Sequence, residues 1–365
     1  DQENTGDHGS SRVYPPYVVT PLQGLRTYLG ENVEILHRDE NQLDEARQLA
    51  GEVDCVVAIV GNDYNDEGEY TSPSSMDEMF NPVIEGYKQM QKPIKVALLK
   101  LIKKLGITTF QLQEGMAPGG DRKSLSLKAE QARMIEVVAG INPNTVVCLV
   151  TGSMIMIDEW AKKIPAILYS WYAGMEGGTA LARILFGDVN PSGKLPFSIP
   201  TSVDHLPYFS STDKEITYDL YHGYTLLDKN GHQPAFPFGF GLSYTQFEYR
   251  ELSVAQKDDH LEVRVVVDNS GDRDGEAVVQ VYVGKPDSNV ERQKKLLKGF
   301  KKIFVPVGQS VHVSISVPLN DLRYYDGQKK CWVLEEGEYL VMAGGSSAER
   351  GMLIELVTIS RQIPV

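Results

Sequence analysis

The hydrophobic pattern of this chain changes period near Tyr244, and no single layer architecture accommodates both halves. From Thr20 to about Ile199 apolar runs alternate with segments of helical spacing. Thr20 with Pro21 opens a helix through Leu29, with Gly30 as its stop, and Val33 to Leu36 reads as a short strand. Asn41 to Ala50 follows as a helix, then the strand Cys55 to Val60, the helix Lys128 to Val138 opened by Ser126, and the strand Thr145 to Val150. Met154 to Ala161 is a short helix and Ala166 to Trp171 a buried strand, which a glycine-rich turn, Gly174 to Gly178, connects to the helix Thr179 to Phe186. Strands separated by helices call for a mostly parallel sheet covered on both faces, an α/β sandwich with its functional loops at the carboxyl ends of the strands.

From Tyr244 onward the period is two: Leu261, Val263, Val265 and Val267; Val279, Val281 and Val283; Val311, Val313, Ile315 and Val317. Asn269 to Gly275, Pro286 to Asn289 and Asp326 to Gln328 supply turns, so this half is expected to be an all-β, immunoglobulin-like sandwich. The expected division is residues 1–205 for the α/β domain, 206–243 for a linker rich in Pro, Tyr and Gly, and 244–365 for the β-sandwich. The long segment Thr71 to Ser124, polar at its edges with an apolar, lysine-bearing centre, reads as a flap with some helix of its own.

Composition removes several classes of function. Acidic residues outnumber basic ones by 49 to 36, and the basic residues are scattered apart from Lys92 to Lys104 and Lys294 to Lys302, which argues against a nucleic-acid partner. No apolar run approaches the roughly 20 residues needed to span a bilayer, so no membrane partner is expected, and the compartment is left open. Cys55, Cys148 and Cys331 have no zinc-type spacing, and neither metal nor cofactor is expected; Cys55 and Cys148 read as small hydrophobes within buried strands. Trp160, Trp171 and Trp332 could each stack on a cyclic ligand, although packing is the ordinary role of an isolated Trp.

Asp66, Glu67 and Glu69 place three acids in four positions directly after the strand Cys55 to Val60. Composition alone reads them as a solvated acidic loop; the alternative is a carboxyl group projected into a cleft, with mutual repulsion raising at least one pKa. Glu176 lies among three glycines at a helix start, where capping is its simplest role. A Ser/His/Asp signature is absent, since GTALA carries no serine.

Five stretches together resemble the C-terminal half of the family 3 glycoside hydrolases, the β-glucosidases and their relatives. They are DQENTGDHGSSRVYPPYVVTPLQGL at the start, NDEGEY, GGDRKSLSL, the run WYAGMEGGTALARILFGDVNPSGKLPFSIP from Trp171 to Pro200, and PFGFGLSYTQF. The resemblance follows the family's order over most of the chain and names the second half a fibronectin type III-like domain. It implies a retaining exo-acting β-glycosidase, a β-glucosidase acting on terminal non-reducing β-D-glucosyl residues. Its catalytic Asp nucleophile would lie on an N-terminal (β/α)8 barrel, which this chain does not contain and which would act as a partner segment or chain.

The same resemblance turns the acidic loop toward catalysis. Glu67, followed by Gly68 with Tyr70 behind it, is the implied acid/base, with Glu69 next and Glu114 third. Tyr70, Asp7, His8, Ser10, Arg12 and Arg122 are the implied substrate contacts, although a structural ion pair is the simpler role of Asp121 and Arg122, and His8 serves equally well as a support for loop backbone. The implied partners are a β-glucoside or oligosaccharide and the barrel; a homo-oligomer is compatible with the sequence. The rival reading is a non-catalytic carbohydrate-binding or scaffold module of the same fold.

Overall fold

A computed structural model describes residues 2–6, 11–68, 93–94, 122, 124–210 and 212–360. The chain divides into two compact units, Asp1–Leu185 and Phe186–Val365.

The first unit is built on a parallel sheet in which β1 (Val56–Gly61), β2 (Thr145–Val150) and β3 (Ala166–Tyr169) lie side by side in chain order. The central strand is the most deeply buried, with Val147, Cys148 and Leu149 fully enclosed, as a strand covered on both faces requires. Helix α1 (Pro21–Leu29) begins where expected because Thr20 and Gln23 form a reciprocal capping box and Pro21 occupies the first turn. It packs on α6 (Gly177–Leu185), and the approach is close enough that a Cβ on Gly24 would sit 2.1 Å from the Gly178 carbonyl oxygen. Helix α2 (Leu43–Ala50) packs on α4 (Ala129–Ile141), which also touches β1 and β2. Between these come two single-turn helices, α3 (Tyr64–Glu67) and α5 (Asp158–Ala161).

Three local expectations are corrected. Val33 to Leu36 forms no strand; Val33 and Leu36 are about half exposed, and no described strand pairs with them. Cys55 is exposed, because β1 starts one residue later, at Val56, and only Cys148 lies inside the sheet. The third strand stops at Tyr169, short of Trp171, whose φ of 57° takes the backbone into the left-handed region and out of the sheet.

The second unit is a β-sandwich. One sheet has the order β12-β11-β6-β7, comprising Leu353–Ile359, Gly337–Gly344, Gly275–Gly284 and Leu296–Val305; the other, β4-β5-β8, comprises Phe247–Gln256, His260–Asn269 and Ser310–Pro318. All neighbouring pairs are antiparallel. Alternate residues from both sheets, among them Leu261, Val263, Val279, Val281, Val317 and Val341, make one apolar core, so the period-two pattern directly marks the inward face. A separate hairpin joins β9 (Tyr324–Asp326) to β10 (Cys331–Val333).

Within this unit residues 206–243 carry helix α7 (Gly223–Asn230), stopped by Gly231 in the left-handed conformation. The segment is tied to the strands: Asp228 pairs with the buried Lys295 at 2.6 Å, Leu297 N–H donates to Tyr224 Oη, and Phe238 packs on Tyr224. Gln280 Nε2 donates to the carbonyls of Gly239 and Gly345, and Tyr282 Oη donates to Gln280 Oε1.

Candidate active site

The carboxyl ends of β1, β2 and β3 meet at one side chain, Glu67. The chain leaves β1 through Gly61, whose φ of 145° brings its backbone so close to β2 that a Cβ there would lie 1.8 Å from the Val150 carbonyl oxygen; only glycine is accommodated. Asp63 then caps α3, accepting from Asn65 N–H, while Asp66 accepts from the Asp63 N–H. That turn points Glu67 back across the sheet instead of into solvent.

Five donors converge on the carboxylate. Asn62 Nδ2, Thr151 Oγ1 and Ser153 Oγ donate to Oε1 at 2.8, 2.9 and 3.4 Å, and the Gly152 N–H and Tyr172 Oη donate to Oε2, both at 2.6 Å. The Arg122 guanidinium lies 3.4 Å from Oε1, and the Glu67 side chain is only 10% exposed. The donors therefore come from the ends of all three strands, together with the arginine of GGDR. Gly152 is required here too, since a Cβ would stand 2.9 Å from the Tyr172 ring and 3.0 Å from Glu67 Oε2.

Burial acts to raise the Glu67 pKa, but the hydrogen bonds from Tyr172, Asn62, Gly152 and Thr151 outweigh it and hold the carboxyl below its ordinary range. The rise expected from crowded acids is thus absent at Glu67. Asp66 is drawn away to Lys128, 2.9 Å distant. The neighbouring tyrosines shift the other way: burial and the Glu67 charge push the Tyr172 phenol well above its usual value, and burial does the same to Tyr169. Both phenols stay protonated, as donors to anionic or carbonyl oxygen must. Tyr169 Oη donates to Ser153 O at 2.5 Å and accepts from the Ile155 N–H, which fixes the loop carrying Thr151, Gly152 and Ser153.

The opening segment lies against the same group. Gly6, with φ 101°, sits where a Cβ would come within 3.0 Å of the Tyr172 ring, and Asn4 Nδ2 donates to Asn62 O. Arg12 lies over the Tyr14 ring at 4.8 Å. Of the sequence-derived candidates, the structure brings Glu67 and Arg122 together and describes Arg12. Asp7, His8, Ser10, Glu69, Tyr70, Glu114 and Asp121 lie outside the described residues. Sequence reasoning missed Asn62, Thr151, Gly152 and Tyr172; the polar triplet Thr151-Gly152-Ser153, directly after an apolar strand, was the available signal. Glu176 accepts from Tyr17 Oη and from Thr179 Oγ1, both at 2.7 Å, so it stitches the start of α6 to the opening segment. Among the described residues no group of three His, Cys, Asp or Glu side chains is arranged to hold a metal, and no helix is long and apolar enough to cross a membrane.

Comparison with known proteins matches this arrangement to a described family. Residues 1–244 fit the glycosyl hydrolase family 3 C-terminal domain, and residues 277–347 fit the fibronectin type III-like domain. The chain belongs to glycosyl hydrolase family 3. It is 40% identical over 240 residues to thermostable beta-glucosidase B of Acetivibrio thermocellus, covering 63% of this chain and 32% of that protein. It is 30% identical over 354 residues to beta-glucosidase BoGH3A of Bacteroides ovatus, covering 93% of this chain and 43% of the relative. The crystal structure of a Bifidobacterium adolescentis GH3 beta-glucosidase superposes with a TM-score of 0.74 at 28% identity, over 98% of this chain and 48% of that one. The chain thus spans from about a third to about a half of the length of these relatives.

Proposed function

We propose that this chain is the acid/base-bearing C-terminal portion of a retaining exo-acting β-glucosidase that removes terminal non-reducing β-D-glucosyl residues. A (β/α)8 barrel, from a preceding segment or another chain, supplies the Asp nucleophile. Retention needs two carboxyl groups on opposite sides of the scissile bond, one attacking carbon and one protonating the leaving oxygen. The observation that carries the reading is the convergence of three parallel strand ends on the start of the acidic loop, in a chain whose relatives are named β-glucosidases.

The same geometry sets what that role requires of Glu67. A general acid must hold a proton at the working pH and release it as the bond breaks. Glu67 accepts donors on both oxygens and has a lowered pKa, so protonating it displaces at least one of them. In the chain without its barrel these donors fix the position of Glu67 and do not remove it from the acid/base role, since catalytic hydrogen bonds rearrange when the substrate complex forms. Glu67 is the proposed acid/base, with Glu69, two residues beyond it, and then Glu114 as the alternatives; Tyr70, Asp7, His8, Ser10, Arg12 and Arg122 are the proposed sugar contacts.

Replacement in the enzyme assembled from this chain and its barrel separates the candidates. Glu67→Ala should lose activity on glycosides with poor leaving groups, retain it on activated aryl glycosides, and regain deglycosylation with azide, because a good leaving group needs little protonation. Glu69→Ala should leave that dependence on the leaving group unchanged. Azide rescue at Glu69 and not at Glu67 would move the acid/base role to Glu69.

A further inference from the structure

The second unit has a cleft of about 840 Å³ whose walls come from the β9–β10 hairpin, the strand ends around Val283 and Leu296, and the segment Val290 to Gln293. Tyr325 and Trp332 face one another across the hairpin and meet edge to face, with ring centroids 5.6 Å apart. Core aromatics are enclosed, but these are 53% and 63% exposed. Tyr339, by contrast, forms part of the same wall at 1% exposure, so the cleft has a packed floor and an aromatic rim.

The wall also contains an incompletely paired donor group. Arg292 Nη1 donates to the Leu322 carbonyl at 3.0 Å, Nη2 lies 3.2 Å from Glu335 Oε2, and the Tyr324 ring lies 5.2 Å from the guanidinium carbon. Nε is buried with no hydrogen-bond partner among the described residues. A buried N–H without an acceptor is costly, so the guanidinium is held in the wall by packing more than by hydrogen bonds. The charges lining the cleft nearly cancel, with Lys285, Arg292, Lys298 and Arg323 against Glu291, Asp321 and Asp326. That balance disfavours an anionic polymer and suits a neutral ligand with many hydroxyls.

We propose that this cleft is a non-catalytic binding site for a neutral oligosaccharide, whose apolar ring face stacks on Trp332 and Tyr325 while its hydroxyls bond the charged wall. A pyranose has both an apolar C–H face and a belt of donors and acceptors, the combination that the rim and wall offer. Membership of a glycoside hydrolase family places such sugars in the protein's surroundings, and the proposal does not depend on which glutamate is the catalytic acid.

The test is titration of the intact chain with cellotetraose and laminaritetraose, followed by calorimetry and tryptophan fluorescence, with heparin tetrasaccharide as the acidic comparison. Saturable binding of a neutral tetrasaccharide is expected, weakened roughly tenfold by Trp332→Ala, less by Tyr325→Ala, and largely restored by Trp332→Tyr, from the usual worth of a stacked ring. Both positions are exposed, so the variants should keep the wild-type circular dichroism and melting temperature. Unchanged affinity in Trp332→Ala, no saturable binding of either neutral sugar, or a preference for the heparin fragment would each overturn the proposal. So would sedimentation showing that Trp332 drives self-association, since the rim would then hold a second copy of the chain.

Discussion

Strand ends in the first unit are held by polar convergence, whereas the strands of the second are held by apolar exclusion. Glu67 draws five hydrogen-bond donors and one guanidinium from segments up to 105 residues distant. In the sandwich, Leu261, Val267, Val279, Val281, Val317 and Val341 reach full burial in a common apolar core. Hydrophobic packing is tolerant of detail and makes a durable support. A charged network with little exposure is directional: it places a loop in one position, and it fails as a unit when its charge or a donor is removed.

The sharpest break in that comparison should come from Gly61→Val in the first unit. Its φ of 145° and the 1.8 Å approach to Val150 O leave no room for a side chain, so β1 must separate from β2. A loss above about 4 kcal/mol is expected, enough to unfold the first unit while the sandwich still melts as in the parent protein. Calorimetric scanning resolves the two transitions. A single shared transition in the parent would show that the units do not unfold independently.

Leu261→Ala makes the converse test. Leu261 is fully buried, and large-to-small changes at such sites cost roughly 2 to 5 kcal/mol. The loss should appear in the sandwich transition alone, with no change in the acid titration of the first unit.

Tyr172→Phe should cost less, about 1 to 3 kcal/mol, the usual range for a hydrogen bond to a charged acceptor. It also carries a pH signature. The folded Glu67 pKa lies below the unfolded value, so the carboxylate contributes stability that is fully present above the unfolded pKa and is lost as pH falls through the folded one. Removing the Tyr172 donor raises the folded pKa toward the unfolded value. The variant should therefore be less stable near neutrality and lose less on acidification, and melting curves collected between about pH 6 and pH 3 measure both effects. An acid limb identical to that of the parent would mean that Glu67 is not the titrating group.

The smallest effect is expected from thiol modification. Cys55 and Cys331 are exposed, while burial pushes the Cys148 thiol up to about 12. A thiol reagent should label two cysteines at once with no change in melting temperature, and Cys148 should react only at the rate at which the first unit opens. Prompt labelling of all three would contradict the closed β1–β2–β3 sheet.

Elements with local signals were legible in the sequence. Thr145–Val150 is bounded as its apolar run indicates, and Thr20, Pro21 and Gly30 mark helix α1 at both ends. The period-two runs give the inward residues of β5, β6 and β8 with Val311 only partly buried, while Tyr339, Val341 and Ala343 of β11 were not marked by them. Helix α7 was hidden because it starts at His222-Gly223 without a Ser, Thr, Asp or Asn cap, within a run punctuated by Pro and Gly. Val33 to Leu36 shows the opposite failure, since an apolar run becomes a strand only where another strand pairs with it. The acidic loop was visible as a cluster, but its electrostatics were not. Repulsion between neighbours in sequence is a local quantity, whereas the lowered Glu67 pKa comes from Asn62, Thr151, Gly152 and Tyr172, which only the fold assembles.

As proposed, this chain contributes one of the two carboxyl groups of a retaining glycosidase and a barrel contributes the other. The direct measurement is hydrolysis of a chromogenic β-glucoside by homogeneous residues 1–365, alone and after addition of a purified family 3 barrel. No turnover alone and turnover on mixing, lost again when Glu67 is replaced by Ala and a poor leaving group is used, is the predicted result. Turnover by the chain alone would contradict it, because one carboxyl group cannot act as nucleophile and general acid in the same displacement.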